Sequence, residues 1–502
     1  MIESYSSILT IRRKVFEEVA KLAYEGGDYS RIEEIPYQML RGRAKYRESI
    51  FLERAIVAER LRLAIGLPVR SADEHAPIAK GIEEAVCTHR YYEPPLVNVI
   101  DFACNACPTD SYFVTDACEG CLANPCSNVC PKDAIKIVNG KSVINQDLCI
   151  KCGRCIDVCP YKAIVHRQRP CEKACGMNAI ESDEFGRAKI NYDKCVSCGM
   201  CLVNCPFGAI ADKSQIFQII QSIKANEEVY AIMAPAFVGQ FGPKVNLKTI
   251  DDAMGKLGFT GVYEVSIGAD LCTYEEALDF LEKVPSQLNF MGTSCCPSWS
   301  VMAKTEFPEF KDNISMALTP MVLTARLVKK EHPNAKVVFV GPCAAKKLEA
   351  SRKSVRSDVD FVLTFEELMG MFLAKKVDFN TLKEKPLENK TTADGRGFAV
   401  AGGVAQAVVN TIKKMNPNLE IKVASAQGLE NCKKLLKDAK AGKYNGYLLE
   451  GMACPYGCVS GAGTLSLAPK TKAMVEVSKR ETPKKNVTES EFLDRLHDLV
   501  EN

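Results

Sequence analysis

The distribution of cysteine constrains this chain more than any other feature: 17 of its 24 cysteines fall between Cys87 and Cys205, and none precedes Cys87. In a short secreted chain such density would mean a disulfide scaffold. Residues Met1 to Glu25, however, hold no charged-then-apolar leader, only an amphipathic pattern carrying Arg12, Arg13 and Lys14. No apolar run approaches the roughly 18–20 residues that a membrane-spanning helix needs. The expectation is a cytoplasmic, reducing setting without a membrane anchor, where grouped thiols mean metal.

Spacing narrows the metal chemistry. Cys149-x2-Cys152-x2-Cys155-x3-Cys159-Pro160 and Cys195-x2-Cys198-x2-Cys201-x3-Cys205-Pro206 both match the bacterial ferredoxin run, in which three cysteines hold one iron–sulfur cube and the fourth holds its neighbour. Cys118-x2-Cys121-x4-Cys126-x3-Cys130-Pro131 is the same run with a longer middle gap. Exchange of fourth cysteines then gives one cube on Cys118, Cys121, Cys126 and Cys159 and a second on Cys149, Cys152, Cys155 and Cys130. The run at Cys195 lacks an adjacent partner. Cys171-x3-Cys175 looks like the tail of such a run, and its C-x2-C head stands far upstream as Cys104 and Cys107. The reading is nesting: a complete two-cluster module over residues 118–165 inserted into an outer one. The outer pair would be Cys104, Cys107, Cys171 and Cys205, with Cys195, Cys198, Cys201 and Cys175. That makes four 4Fe–4S clusters in all. Structural zinc on Cys104, Cys107, Cys171 and Cys175 is the alternative, since two distant short pairs also suit a tetrahedral ion, but it would orphan Cys205. Cys87, near His89, is left unassigned as a buried free thiol.

The remainder of the 502 residues has room for one or two large cores. A formal charge of +3 points neither to nucleic acid nor to an anionic surface. Ile11 to Tyr24 and Arg54 to Ala64 carry apolar residues at helical spacing, so residues 1–86 are expected to form a small α-helical packing or docking unit. Residues 87–212 make an α+β ferredoxin-like region. From 213 to 470, strands at Glu228–Met233, Val337–Val340 and Phe398–Val400 alternate with helical patterns, an α/β domain with functional residues at carboxyl ends of strands. A tail with a short helix, 471–502, closes the chain.

Three stretches of the α/β domain carry a resemblance: Thr293-Ser294-Cys295-Cys296-Pro297-Ser298-Trp299, Gly341-Pro342-Cys343-Ala344-Ala345-Lys346-Lys347-Leu348-Glu349 and Glu450-Gly451-Met452-Ala453-Cys454-Pro455-Tyr456-Gly457-Cys458. They resemble the TSCCPxW, PCxxKxxE and ExMxCxxGC signatures of the iron-only (FeFe) hydrogenase family. The resemblance implies two α/β lobes around a deep cleft holding the H-cluster, a 4Fe–4S cubane joined to a two-iron unit that carries carbon monoxide, cyanide and a dithiolate amine. By it Cys296, Cys343, Cys454 and Cys458 hold the cubane, with Cys458 bridging; Lys346 pairs with a cyanide and Met452 packs near the bridging carbonyl. Cys295 becomes the thiol that passes protons, suited by an ordinary thiol pKa near 8.5. The outward route falls on Glu276, Ser315, Asp279, where a glutamate is usual, and Lys283, where an arginine is usual.

Departures gather at the two-iron pocket: Gly341 replaces the usual methionine, Ala236 a serine, and Thr319-Pro320-Met321 a Ser-Pro-Gln, while Gly461-Ala462-Gly463 stands where three glycines are frequent. The expected function is reversible proton reduction to H2. Electrons would come from ferredoxin or flavodoxin, and maturation proteins would supply the two-iron unit. A hydrogen sensor and a hydrogenase-like iron–sulfur assembly protein are the alternatives. Cys295, Lys346 and Met452 weigh against the second, because a protein that holds only a cubane has no use for them.

Overall fold

The cysteine-rich region is built from hairpins closed inside one another. The computed structural model describes residues 7–71, 73, 75–90, 94–352, 357–387 and 390–500. Strand Val97–Val99 pairs antiparallel with Ile210–Asp212 and encloses everything between them. Inside that, Ser111–Val114 pairs with Ile164–Arg167, and inside that again Ile135–Val138 pairs with Lys141–Ile144. Ile180–Ser182 and Ala188–Ile190 form the remaining hairpin of the outer layer. This strand order is what insertion of one ferredoxin-like module into another produces.

Residues beyond 213 form two parallel sheets. One has the order Gly261–Glu264, Val229–Met233, Lys336–Gly341, Phe361–Thr364. The other has Phe290–Gly292, Tyr447–Met452, Lys422–Gln427. Central strands such as Val229–Met233 and Lys336–Gly341 are almost continuously apolar and buried, as parallel strands covered on both faces must be. Each signature stretch follows or spans the end of one of these strands: Thr293 comes after Gly292, Pro342 after Gly341, and Ala453 after Met452. Two sheets thus aim their carboxyl ends at one region.

The expected third strand, Phe398–Val400, is not one. Helix Ala393–Gly397 runs directly into a turn there, and Gly402, at φ +89°, opens helix Gly403–Met415. The apolar triplet is buried because it packs in the interior beside the thiols, not because it extends a sheet. Burial without periodicity cannot separate the two cases.

The cysteine-free N-terminus forms helices Ser7–Glu25 and Ile50–Ile65. Ser49 caps the second by accepting from the Phe51 N–H, and Gly66 in the left-handed region ends it. Ser7–Glu25 lies along helix Phe365–Ala374 of the α/β region. Val15, Phe16 and Val19 share one core with Phe217, Phe365 and Phe372. Gly370 permits that approach, since a Cβ there would sit 2.7 Å from the Phe16 Cβ. The tail carries helix Ala468–Glu481, and Phe492 and Leu499 then pack against Leu323 and Leu327.

Candidate active site and thiol cavities

Cys296, Cys343, Cys454 and Cys458 all line one cavity, which holds about 850 Å³ including its mouth. Cys295, Lys346 and Met452 line the same space. Cys296 is the residue before helix Pro297–Glu306, whose Trp299 is fully buried and donates its indole N–H to the Thr293 carbonyl at 3.0 Å. Gly451 makes room for that ring, because a Cβ would meet it at 2.1 Å. The Thr-Ser-Cys-Cys turn is therefore fixed by packing before any metal arrives. Burial pushes the Cys343 thiol up to about 11 and Cys458 to about 12, so cluster assembly must take protons from them.

The space continues past the four thiols. Ala234, Ala236, Val265, Ala269, Met321 and Phe398 give it apolar walls. Gly341, which departs from the family's methionine, is answered by Phe339: its ring lies 2.5 Å from where a Cβ at 341 would be, and it lines the cavity. Lys346 is buried, with its Nζ 2.6 Å from Glu349 Oε2 and donating to the Cys295 carbonyl at 3.4 Å. Burial disfavours its charge, but Glu349, Cys343 and Cys295 outweigh that and raise its pKa. Thr319 holds the other Glu349 oxygen at 2.5 Å, so the Thr-Pro-Met departure keeps a hydroxyl in use.

Cys295 lies against Glu276. Burial first, then the Glu276 carboxyl, pushes its thiol well above the ordinary range. The sequence expectation of a thiol near neutrality is revised: this one is held protonated, able to donate. Glu276 is fully buried and accepts from the Ser294 N–H at 2.8 Å and its hydroxyl at 3.0 Å, while its second oxygen accepts no hydrogen bond among the described residues. Burial raises its pKa to about 7, against the Ser294 hydrogen bonds and the nearby Ser315 hydroxyl. Glu276, Asp279 and Lys283 follow one another at helical intervals along Ser266–Lys283. Asp279 meets Lys283 at 2.6 Å where both are partly exposed. Two residues on this face were missed from sequence: Glu275, half-buried with its pKa raised by burial and Asp279, and Cys272, buried and hydrogen-bonded to Ser294. Their positions on the helix were readable; their burial was not.

Twelve of the other sixteen thiols line three cavities, four to each. Cys118, Cys121, Cys126 and Cys159 line one cavity. Cys104, Cys107, Cys171 and Cys205 line a second, and Cys175, Cys195, Cys198 and Cys201 a third. Cys130, Cys149 and Cys155 share a cluster of side chains with Cys126 and Cys159, and Cys149 and Cys152 both act on Cys155. Cys198 lines the third cavity and the large one alike, and the Ser298 hydroxyl donates to the Val196 carbonyl at 3.2 Å across that join. Cys87 is only partly buried, and its thiol donates to the His89 carbonyl.

Residues 227–462 match the family of the iron-only hydrogenase large subunit, C-terminal domain, and residues 107–168 and 165–216 match the LdpA Fe-S cluster-binding domain. Iron hydrogenase 1 of Clostridium pasteurianum is 29% identical over 402 residues, 70% of each chain. Cytosolic iron-sulfur assembly component 3 of Bos taurus is 26% identical over 278 residues, 45% of this chain and 58% of that protein. A solved FeFe-hydrogenase structure superimposes with a TM-score of 0.47 at 22% identity, covering 54% of this chain and 89% of that one.

Proposed function

As a divergent member of the FeFe-hydrogenase-like family, this chain, we propose, is a cytoplasmic hydrogenase that interconverts protons and H2. The observation that carries the reading is one cavity with two kinds of lining. Four thiols line it together with Cys295, Lys346, Met452 and apolar side chains such as Ala234, Val265 and Phe398. The donor set fits an H-cluster: thiols for a cubane, an ammonium for an anionic ligand, and walls without competing polar groups. When bound, that group would supply the redox centre at which two protons and two electrons become H2.

The protein's own work is then holding, orienting and moving protons. Cys296, Cys343, Cys454 and Cys458 would hold the cubane. Lys346, itself held by Glu349, would orient the two-iron unit, with Met452 packing beside it. Cys295 would keep a proton at its Sγ inside the chamber. Glu276, with a pKa near neutrality and an oxygen that accepts no hydrogen bond among the described residues, would take and return that proton, and Ser315, Asp279 and Lys283 would pass it toward solvent. Electrons would enter from a ferredoxin or flavodoxin and travel through four 4Fe–4S clusters. The thiol sets that ring separate cavities support clusters over a single zinc ion. Among the described residues no helix is long and apolar enough to cross a membrane.

Likeness to an iron-sulfur assembly component supports a second reading, in which only cubanes are held. Infrared spectroscopy on protein matured with the two-iron unit separates the two. Carbonyl and cyanide bands together with hydrogen evolution are expected; protein that takes up cubanes but binds no two-iron unit would be an assembly-type protein.

A further inference from the structure

One guanidinium lines the cavity of Cys104, Cys107, Cys171 and Cys205, and two more hold the backbone beside its cysteines. Arg169, 1% exposed, lines it and donates to the carbonyls of Cys107, Glu181 and Gly186. Arg47, from the loop before helix Ile50–Ile65, donates to the Ala103 carbonyl at 3.1 Å and the Phe207 carbonyl at 2.6 Å. One side chain thereby ties the residue before Cys104 to the second residue after Cys205. Arg60, 6% exposed, donates to the Gly208 carbonyl on the same turn.

None of the three has a carboxylate at ion-pair distance among the described residues. Nearby acids are engaged elsewhere or lie outside: Glu53, buried in the cavity that Arg47 and Arg60 line, accepts from the backbone N–H groups of Lys45, Tyr46 and Arg47, Asp183 pairs with Arg187 at 2.7 Å, Asp212 with Lys347 at 2.8 Å, and Asp101 is exposed. Burial and the neighbouring Arg12, with Arg47, lower the Arg60 pKa to about 10 against the pull of Cys205 and Asp212. Arg60 and Arg169 are buried and Arg47 is half-buried; buried cations without ion-paired anions are costly, so these call for a negative partner. A cube held by four thiolates is one, and it becomes more negative by one charge on reduction. The other cavities differ: that of Cys175, Cys195, Cys198 and Cys201 has no charged side chain in its lining apart from the thiols, and that of Cys118, Cys121, Cys126 and Cys159 has only Glu119.

We propose that Arg47, Arg60 and Arg169 raise the reduction potential of the cluster on Cys104, Cys107, Cys171 and Cys205 above those of its neighbours. That site is then the relay's electron reservoir, and the cysteine-free N-terminal helices are its electrostatic cap. The proposal rests on the four-cluster reading of the region. Cations stabilise the reduced cube more than the oxidised one, so the sign is fixed.

The test is an EPR-monitored titration with dithionite and mediators on the anaerobically reconstituted full chain, the signal of this site being assigned by its loss in Cys104→Ser. In the parent it should be the first of the region to reduce. In Arg47→Gln and Arg60→Gln, its reduced-to-oxidised ratio at a fixed potential should fall about tenfold, equivalent to about 59 mV for one electron. The remaining signals should stay put. Arg47→Lys and Arg60→Lys keep the charge and should keep most of the potential. An unmoved potential in iron-loaded Gln variants overturns the proposal alone, as does an equal shift in Lys and Gln variants, which would mean packing rather than charge. Zinc without iron at this site overturns the cluster reading and the proposal together.

Discussion

Cys295 and Cys296 are adjacent and face different demands. Cys296 is one of four thiols around a space that needs four, so Cys296→Ser should lose the cubane, measured as iron content. Cys295→Ser should leave the cofactor assembled, with infrared bands near those of the parent, and lose at least about a hundredfold in hydrogen evolution, the low end for a positioned acid-base group. Full activity in that variant would mean that protons take another road. Glu276 permits a test through stability. Its folded pKa, about 7, lies above the ordinary glutamate value of 4.5, so the stability it contributes is present below about 4.5 and is lost as pH rises through about 7. Glu276→Gln removes that slope. Between about pH 4.5 and 8.5 the variant should gain about 3 kcal/mol relative to the parent in denaturant unfolding. Asp270, also raised to about 7 by burial, leaves a slope of the same sign in both proteins. Parallel pH curves for parent and variant would show that Glu276 is not the buried titrating acid.

At the scale of elements, legibility followed the chemistry. A thiol run has a spacing that metal dictates, so the three ferredoxin-type runs and the distant head at Cys104 and Cys107 could be joined from sequence, and three cavities each gather four of these thiols. Nested hairpins follow from that pairing. Strand Val229–Met233 and helix Ser7–Glu25 were readable by length and period. Phe398–Val400 was not, because three apolar residues bury equally well in a strand or beside a cavity. The burial that holds Cys295 protonated depends on neighbours brought from remote segments, which no local pattern encodes. Nesting carries its own prediction. Reconstituted protein without the two-iron unit should hold about twenty irons, five cubanes of four, and Cys171→Ser should hold about four fewer. Bound zinc with about sixteen irons in the loaded parent would replace the cluster at Cys104, Cys107, Cys171 and Cys205.

For the whole molecule, the question is what keeps relay and cavity in register. Lys347, the neighbour of Lys346, turns away from the cavity. Its buried ammonium lies 2.8 Å from Asp212, on the strand that closes the iron–sulfur region, and 2.8 Å from Glu367 at the start of helix Phe365–Ala374. It also donates to the Lys213 carbonyl at 2.8 Å. Arg12 of the N-terminal helix reaches Glu366 at 2.8 Å beside it. Three regions of the chain thus meet at one buried charge cluster a residue away from the proposed cyanide partner. Burial alone would raise the Asp212 pKa, but Lys347 and then Arg12 outweigh it and hold it low, so its contribution is present above the ordinary carboxylate range and lost as pH falls. Lys347→Met leaves two carboxylates buried with less compensation, which should cost about 3–5 kcal/mol near neutrality. The sign of the pH dependence should then reverse: deprived of the ammonium, Asp212 takes up a proton on folding, and the deficit should shrink as pH falls toward about 5. Adding Asp212→Asn to Lys347→Met should restore part of the loss, since one of the stranded charges is gone. A deficit below about 1 kcal/mol that does not change with pH would place this cluster among ion pairs of little consequence, and the register of relay and cavity would then rest on the apolar core around Phe16, Phe217 and Phe365 alone.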